Sequence, residues 1–204
     1  MFKRDGPGAA PYEALSHFGE WLDMERIDDN KLIDECSEMI AKENTIVFWF
    51  EGRSEFGPRA LGHRSIIAPA TRCDTVDFIN DVVKGREDFR PLAPAVLAEE
   101  AHEWFEGGCR ASPFMSRVWV LKEEAARRVP ACAHVDRTAR PQTVSPTDDA
   151  WLHKLLLAVK ARTGWAVLIN TSFNARGKPI LNTAREALAL LRASPAMSAV
   201  VFDD

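Results

Sequence analysis

Trp165-Ala166-Val167-Leu168-Ile169-Asn170-Thr171-Ser172-Phe173-Asn174 is the stretch on which the reading of this chain turns. The first five residues are apolar and partly β-branched, as in a buried strand, and 165–169 is read as that strand. Small hydrogen-bonding residues follow at once. In α/β sheets ligands sit at the carboxyl ends of strands, so Asn170, Thr171, Ser172 and Asn174 read as the rim of a ligand site.

Upstream, Leu152, Leu155, Leu156 and Val159 recur at helical spacing and predict a helix over 148–162, closed by Gly164. Downstream, a helix near 184–191 and a strand over 199–202 follow. Further back, Leu32, Ile33, Cys36, Met39 and Ile40 predict a helix with Asn30 as N-cap. Residues 45–50 read as a buried strand and 52–72, rich in Gly, Pro and Arg, as mostly loop. Helices are expected over 74–83 and 99–105, and strands over 91–97 and 115–121. Pro94 suggests that the first of these strands lies at an edge or is irregular. Residues 123–144 carry no clear period. Helices and strands alternate, which makes the class α/β or mixed α+β. Residues 1–30 read as a leader or linker with a short helix around 15–22, and 31–204 as the domain.

Bulk composition narrows the function. The 204 residues are enough to bury a core without disulfide staples. A formal net charge of −4 argues against a general polyanion-binding surface but leaves room for a local basic pocket. Cys36, Cys73, Cys109 and Cys132 form no C-x-x-C pair, so they read as reduced, core-filling thiols of a cytoplasmic protein. No apolar run approaches the ~20 residues that span a bilayer.

Three further segments carry unusual chemistry. Arg53, Arg59, Arg64 and Arg72 are spaced by Gly and Pro just after a predicted strand. Glycine admits close backbone approach, and a guanidinium fork matches phosphate or carboxylate. The loop reads either as an anion site or as a structural ion-pair loop. Lys84-Gly85-Arg86-Glu87-Asp88-Phe89-Arg90-Pro91 reads by itself as an exposed helix end, although Arg90 directly precedes an apolar strand. His134-Val135-Asp136-Arg137-Thr138-Ala139-Arg140 is short of metal ligands and reads as a third basic loop, with no metal site. The chain contains no Walker A sequence, no G-x-G-x-x-G and no G-x-S-x-G elbow. Ser172 has no neighbouring base, so it reads as a donor to a phosphate or carbonyl oxygen and not as a nucleophile.

Taken together, the segments resemble a known family. Gly52-Arg53-Ser54-Glu55-Phe56-Gly57-Pro58-Arg59-Ala60-Leu61-Gly62-His63-Arg64-Ser65-Ile66 is similar to the signature that opens the C-terminal domain of the antibiotic and nodulation O-carbamoyltransferases. Counterparts of 79–91, of Ser112-Pro113-Phe114-Met115, of 134–144 and of 170–174 occur in the same order. The resemblance implies a YrdC-like fold, a twisted mixed sheet flanked by helices with a concave basic pocket. It implies ATP, Mg2+ and carbamoyl phosphate as ligands, and formation of carbamoyl-adenylate with release of pyrophosphate. A separate actin-like domain or protein would then transfer the carbamoyl group, and residues 1–30 are too short to supply it.

Carried over motif by motif, Arg59, Lys84, Arg90, Arg140 and Ser172 would hold the phosphates, with Lys84, Arg90 and Arg140 as catalytic cations. Arg64 and Arg137 would join them in substrate binding, and Asn170, Thr171 and Asn174 would complete the rim. The chain departs from the family pattern at Arg137, where a glycine is expected, at Pro141, where a leucine is expected, and at Lys178, where a glutamate is expected. Two other readings compete with the enzyme: a non-catalytic module that binds nucleotide or carbamoyl phosphate, and an RNA-binding YrdC-like protein. The acidic net charge disfavours the second.

Overall fold

The structure, a computed structural model, describes residues 2–4, 25–42, 45–87, 89–108, 111–193 and 199–202. Its strands are β1 (Phe2–Arg4), β2 (Glu25–Ile27), β3 (Val47–Phe50), β4 (Arg64–Pro69), β5 (Ala93–Leu97), β6 (Trp119–Val120), β7 (Thr138–Ala139), β8 (Gln142–Val144), β9 (Val167–Ser172) and β10 (Ala199–Phe202). Eight of them form one mixed sheet in the order β2-β1-β10-β3-β4-β9-β5-β8, and β6 pairs with β7 apart from it. The pairs β3/β4, β4/β9 and β5/β9 are antiparallel, whereas β10/β3 and β5/β8 are parallel. Sequence neighbours are therefore often not sheet neighbours, and the sheet is mixed as expected. The stretch read as a leader contributes β1 and β2 to one side of this sheet; the helix expected around 15–22 lies outside the described residues.

The helices are α1 (Asp29–Ala41), α2 (Asp74–Phe78), α3 (Ala101–Trp104), α4 (Glu123–Arg128), α5 (Ala150–Thr163) and α6 (Ala184–Ala193). Period-two alternation along β3 sends Phe48 and Phe50 into one core layer and Val47 and Trp49 into the other. The second layer is closed by Leu32, Cys36 and Ile40 of α1 and by Trp151, Leu155 and Leu156 of α5, with Trp49 stacked on Trp151. Each such fully buried side chain contributes about 1.5–3 kcal/mol of transfer free energy. Among the described cysteines, Cys36 and Cys132 are buried and Cys73 is exposed.

Caps set the helix ends. Asp28, and not Asn30, caps α1: its carboxylate accepts from the backbone N–H groups of Asn30 and Lys31 at 2.9 and 3.0 Å. Asp149 caps α5 through Leu152 N at 2.8 Å, and Gly164 closes that helix at φ 84. Thr183 and Glu186 form a reciprocal capping box on α6, with Thr183 N donating to Glu186 Oε2 at 2.8 Å and Glu186 N to Thr183 Oγ1 at 3.3 Å.

Four further expectations are corrected. The 52–72 stretch holds β4, which is buried along its whole length at the centre of the sheet. The strand read over 91–97 is not an edge, since β5 lies between β9 and β8. Pairing with β8 starts only at Ala95, so Pro94 sits where that side needs no donor. Residues 115–121 give only the two-residue β6, because Met115 turns the chain at φ 52. Strand β9 does not end at Ile169; it runs on to Ser172, with Asn170, Thr171 and Ser172 paired to Ile67, Ile66 and Ser65.

Candidate active site

Helix α2 does not simply stop. It continues as a π-helical turn, Ile79–Lys84, ended by Gly85 in the left-handed region at φ 53. A Cβ at Gly85 would also meet the Arg176 side chain at 3.1 Å, so a larger residue would press on that arginine. The wider π turn places Lys84 with its amine buried against the end of β9. Lys84 Nζ donates to Ser172 O, to Ser172 Oγ at 3.2 Å and to Asn174 Oδ1 at 2.5 Å. Ser172 Oγ in turn donates to Asn174 Oδ1 at 2.8 Å, and Asn174 Nδ2 to Lys178 O at 2.7 Å. Three acceptors are the full set an ammonium can use. Burial, reinforced by repulsion from Arg86, nevertheless lowers Lys84 to about 7.

Lys84 stands in the wall of an open cleft of about 760 Å³, which Arg86, Arg90, Arg176 and Lys178 also line, together with the carboxylates Asp81 and Glu87. Glu87 Oε2 pairs with Arg90 Nε at 2.8 Å. A smaller chamber of about 90 Å³ adjoins it, lined by Arg59, Arg86, Arg140, Asn170, Thr171 and Ser172 among others. Arg86 and Ser172 line both, so the two spaces are neighbours across these side chains. Asn80 is buried and organises this wall: its Oδ1 accepts from Arg86 Nε at 2.7 Å and its Nδ2 donates to Arg90 O at 2.9 Å. Burial, and then the charge of Arg59, lowers the pKa of Arg140; burial, and then Arg90, lowers that of Arg86. Arg140 Nε and Arg86 Nη2 are buried without a protein partner. Guanidinium groups gathered around one chamber, with buried N–H groups unused, suit an anion.

The loop carrying Arg59 is held from behind by a carboxylate. Glu55 Oε1 accepts from Leu61 N at 2.8 Å, His63 N at 2.9 Å and Arg64 N at 3.0 Å. Gly62 has φ 131, and a Cβ there would stand 2.0 Å from Asp149 Oδ2, so the loop closes onto the α5 N-cap only with glycine at this position.

Of the residues singled out in the sequence, Arg59, Lys84, Arg90, Arg140, Asn170, Thr171, Ser172 and Asn174 therefore surround one two-chambered cleft. Arg64 does not line it. It is buried, with Nη1 donating to Glu51 O and to His63 O, Nη2 donating to Gly52 O at 2.6 Å, and the guanidinium carbon 3.6 Å from the Phe50 ring centroid. Its two terminal nitrogens are taken up by the turn that leads out of β3, while Nε is buried without a protein partner. Arg137 is also elsewhere. It occupies the left-handed region at φ 61 in the turn from His134 to Thr138, and its exposed guanidinium is 3.4 Å from Glu106 Oε1. That conformation accounts for the glycine expected there, and Arg137 neither crowds the cleft nor lines it. His134 Nδ1 and Asp136 Oδ1 both bond to Thr138, at 2.9 and 2.7 Å for its hydroxyl, which closes the turn. Among the described residues no group of three or more His, Cys, Asp or Glu is placed to hold a metal. Sequence reading missed Arg86, Arg176 and the buried Asn80. The i and i+6 spacing of Asn80 and Arg86 carries meaning only on a π turn.

A mixed sheet flanked by helices, with a cationic cleft at the carboxyl end of β9, defines a domain of YrdC-like fold. The structure of P. abyssi Sua5 complexed with L-threonine shares the fold, with a TM-score of 0.57 over 88% of this chain and 48% of that one at 18% identity. The chain belongs to the carboxyl-terminal domain family of the carbamoyltransferases, matching it over residues 37–204. It is 40% identical to nodulation protein NolNO of Sinorhizobium fredii over 185 residues, and 42% identical to nodulation protein NolO of Bradyrhizobium diazoefficiens over 176. It is 38% identical to the 3'-hydroxymethylcephem-O-carbamoyltransferase of Amycolatopsis lactamdurans over 175 residues. These matches cover 84–90% of this chain but only 27–32% of the relatives.

Proposed function

We propose that this domain binds carbamoyl phosphate and ATP and forms carbamoyl-adenylate, as the activating half of an O-carbamoyltransferase. The observation that carries the reading is the joined cleft, whose lining holds seven cationic side chains (Arg59, Lys84, Arg86, Arg90, Arg140, Arg176 and Lys178) against two carboxylates. Two highly charged anions must meet in this reaction. Water converts carbamoyl phosphate to carbamate and phosphate; a carbamate oxygen then bonds to the α-phosphorus of ATP as the bond to pyrophosphate breaks. Positioning and charge neutralisation supply most of the catalysis in such transfers. The smaller chamber, with Arg59, Arg86 and Arg140, suits the compact carbamoyl phosphate. The 760 Å³ cleft has room for a triphosphate.

A magnesium ion would arrive on ATP, held mainly by phosphate oxygens and water, with Asp81 as a cleft carboxylate that, among the described residues, is not ion-paired as Glu87 is with Arg90. The ion would supply charge neutralisation on the phosphates. Lys84 would take up a proton as the phosphates bind, because an anion offsets the burial that lowers the amine to about 7. Ser172 and Asn174 orient that amine. The finished carbamoyl-adenylate would pass to an actin-like transfer domain or protein, which selects the acceptor hydroxyl. No described helix is long and apolar enough to cross a membrane.

The test is pyrophosphate release from ATP with the transfer partner present. Release that requires carbamoyl phosphate supports the proposal. ATP binding without release would instead mark a non-catalytic module.

A further inference from the structure

The floor of the smaller chamber holds an acceptor that the phosphates do not need. Asn170 is 1% exposed and is one of the residues that line that chamber. Its Oδ1 is buried and has no partner. The orientation of the amide follows from a chain of fixed roles. Leu61 O can only accept, so Gln142 offers it Nε2, at 2.7 Å. Gln142 then presents Oε1 to Asn170, which answers with Nδ2 at 2.6 Å. Asn170 Nδ2 is also 3.4 Å from Ala60 O, a second acceptor on the same side. Both protein neighbours therefore claim the nitrogen, and Oδ1 is left over. The sheet register makes this possible. Gln142 on β8 and Asn170 on β9 lie opposite Ala95 and Ala93 of the intervening β5, and those small side chains leave room for two amides to meet.

An orphaned buried acceptor calls for an N–H donor from a ligand. The surrounding arginines call for an anion. Resting on the function proposed above, we infer that Asn170 Oδ1 accepts a hydrogen bond from the carbamoyl –NH2 of the substrate, so that this chamber selects carbamoyl phosphate over acyl phosphates that lack the amide. A site built around a donor on the substrate rejects an isostere without it, because its own polar group is then left unpaired. Gln142 touches only Asn170 and Leu61 in this chain of bonds and is a positioning residue.

The experiment uses two stable phosphonates that differ only in this group, phosphonoacetamide and its methyl ketone counterpart acetonylphosphonate. Their affinities for the full chain, and that of inorganic phosphate, are measured by calorimetry. The amide is expected to bind about 10- to 100-fold more tightly than the ketone. Equal affinities for the two, alongside clear phosphate binding, would overturn this inference and leave the proposed function standing. Failure to bind any of the three would overturn both. In Asn170→Leu the preference is expected to fall to near unity, with inorganic phosphate binding reporting that the arginine walls are intact. Undiminished preference in a variant that still binds phosphate would also overturn the inference. Should that variant not fold, Gln142→Met, which frees the Asn170 amide to rotate, is expected to reduce the preference at least severalfold.

Discussion

Binding of an anion to the cleft should draw a proton onto Lys84. In the ligand-free protein this amine is lowered to about 7, first by burial and then by Arg86. An anion beside it supplies the opposite charge that burial withholds, and raises its pKa back toward the ordinary lysine value of about 10.4. At pH 8 the free amine is about 90% neutral, so binding takes up close to one proton. Between pH 7 and the raised value, affinity falls by up to tenfold for each pH unit gained. Below pH 7 it levels off. Sulfate is the suitable probe, because it does not itself titrate in this range. Calorimetry at pH 8 in buffers of different ionisation enthalpy should give a slope near +0.9 protons, and Lys84→Met should reduce it to near zero. A sulfate affinity that is flat from pH 6 to 9, or uptake that survives Lys84→Met, would refute the argument.

The same shift has a stability counterpart in the ligand-free protein. The unfolded chain binds more protons at Lys84 than the folded one between pH 7 and about 10.4, so stability rises with pH across that window. Lys84→Met should therefore melt above wild type at pH 7, by roughly 1–3 kcal/mol, with the gap closing toward pH 10. Arg137→Gly should stabilise by about 0.5–1 kcal/mol in denaturant titration, since release of the left-handed strain outweighs both the gain in unfolded-state entropy and a weak exposed ion pair with Glu106. Arg64→Lys should cost about 2–3 kcal/mol of stability, because one ammonium cannot serve the Glu51, Gly52 and His63 carbonyls while stacking on Phe50, yet leave sulfate affinity at the wild-type value. Gly62→Ala should cost about 3 kcal/mol or more by driving a methyl into Asp149, and should weaken sulfate binding through the displaced Arg59 loop.

Local chemistry made much of the architecture legible. The α5 face of Leu152, Leu155, Leu156 and Val159, its stop at Gly164 and the buried β3 run all follow from short-range rules, and the structure reproduces them. Strand β4 escaped because it opens on Arg64 after a run rich in glycine, proline and arginine. Only in the folded chain do three carbonyls and an aromatic face make that arginine acceptable inside. Pro94 misled for a related reason: whether a missing N–H costs anything depends on what lies across the ladder, which is a property of the sheet and not of the segment.

Residue chemistry in the sequence marked the run from Asn170 to Asn174 as a ligand rim and left the Arg59 loop open between an anion site and an ion-pair loop; the family resemblance, and not residue type, singled out Lys84, Arg90 and Arg140. Residue type could not say which cations face a common space, since a guanidinium reads the same whether it lines a cleft, as Arg86 does, or seals a turn, as Arg64 does. Tertiary structure decided that, together with two matters of physical consequence. It buried Lys84 beside Arg86, which lowers the amine to about 7. It also locked the Asn170 amide through Gln142, which leaves one oxygen unpaired. Both effects come from desolvation and fixed hydrogen-bond direction, which exist only once strands far apart in the chain lie side by side.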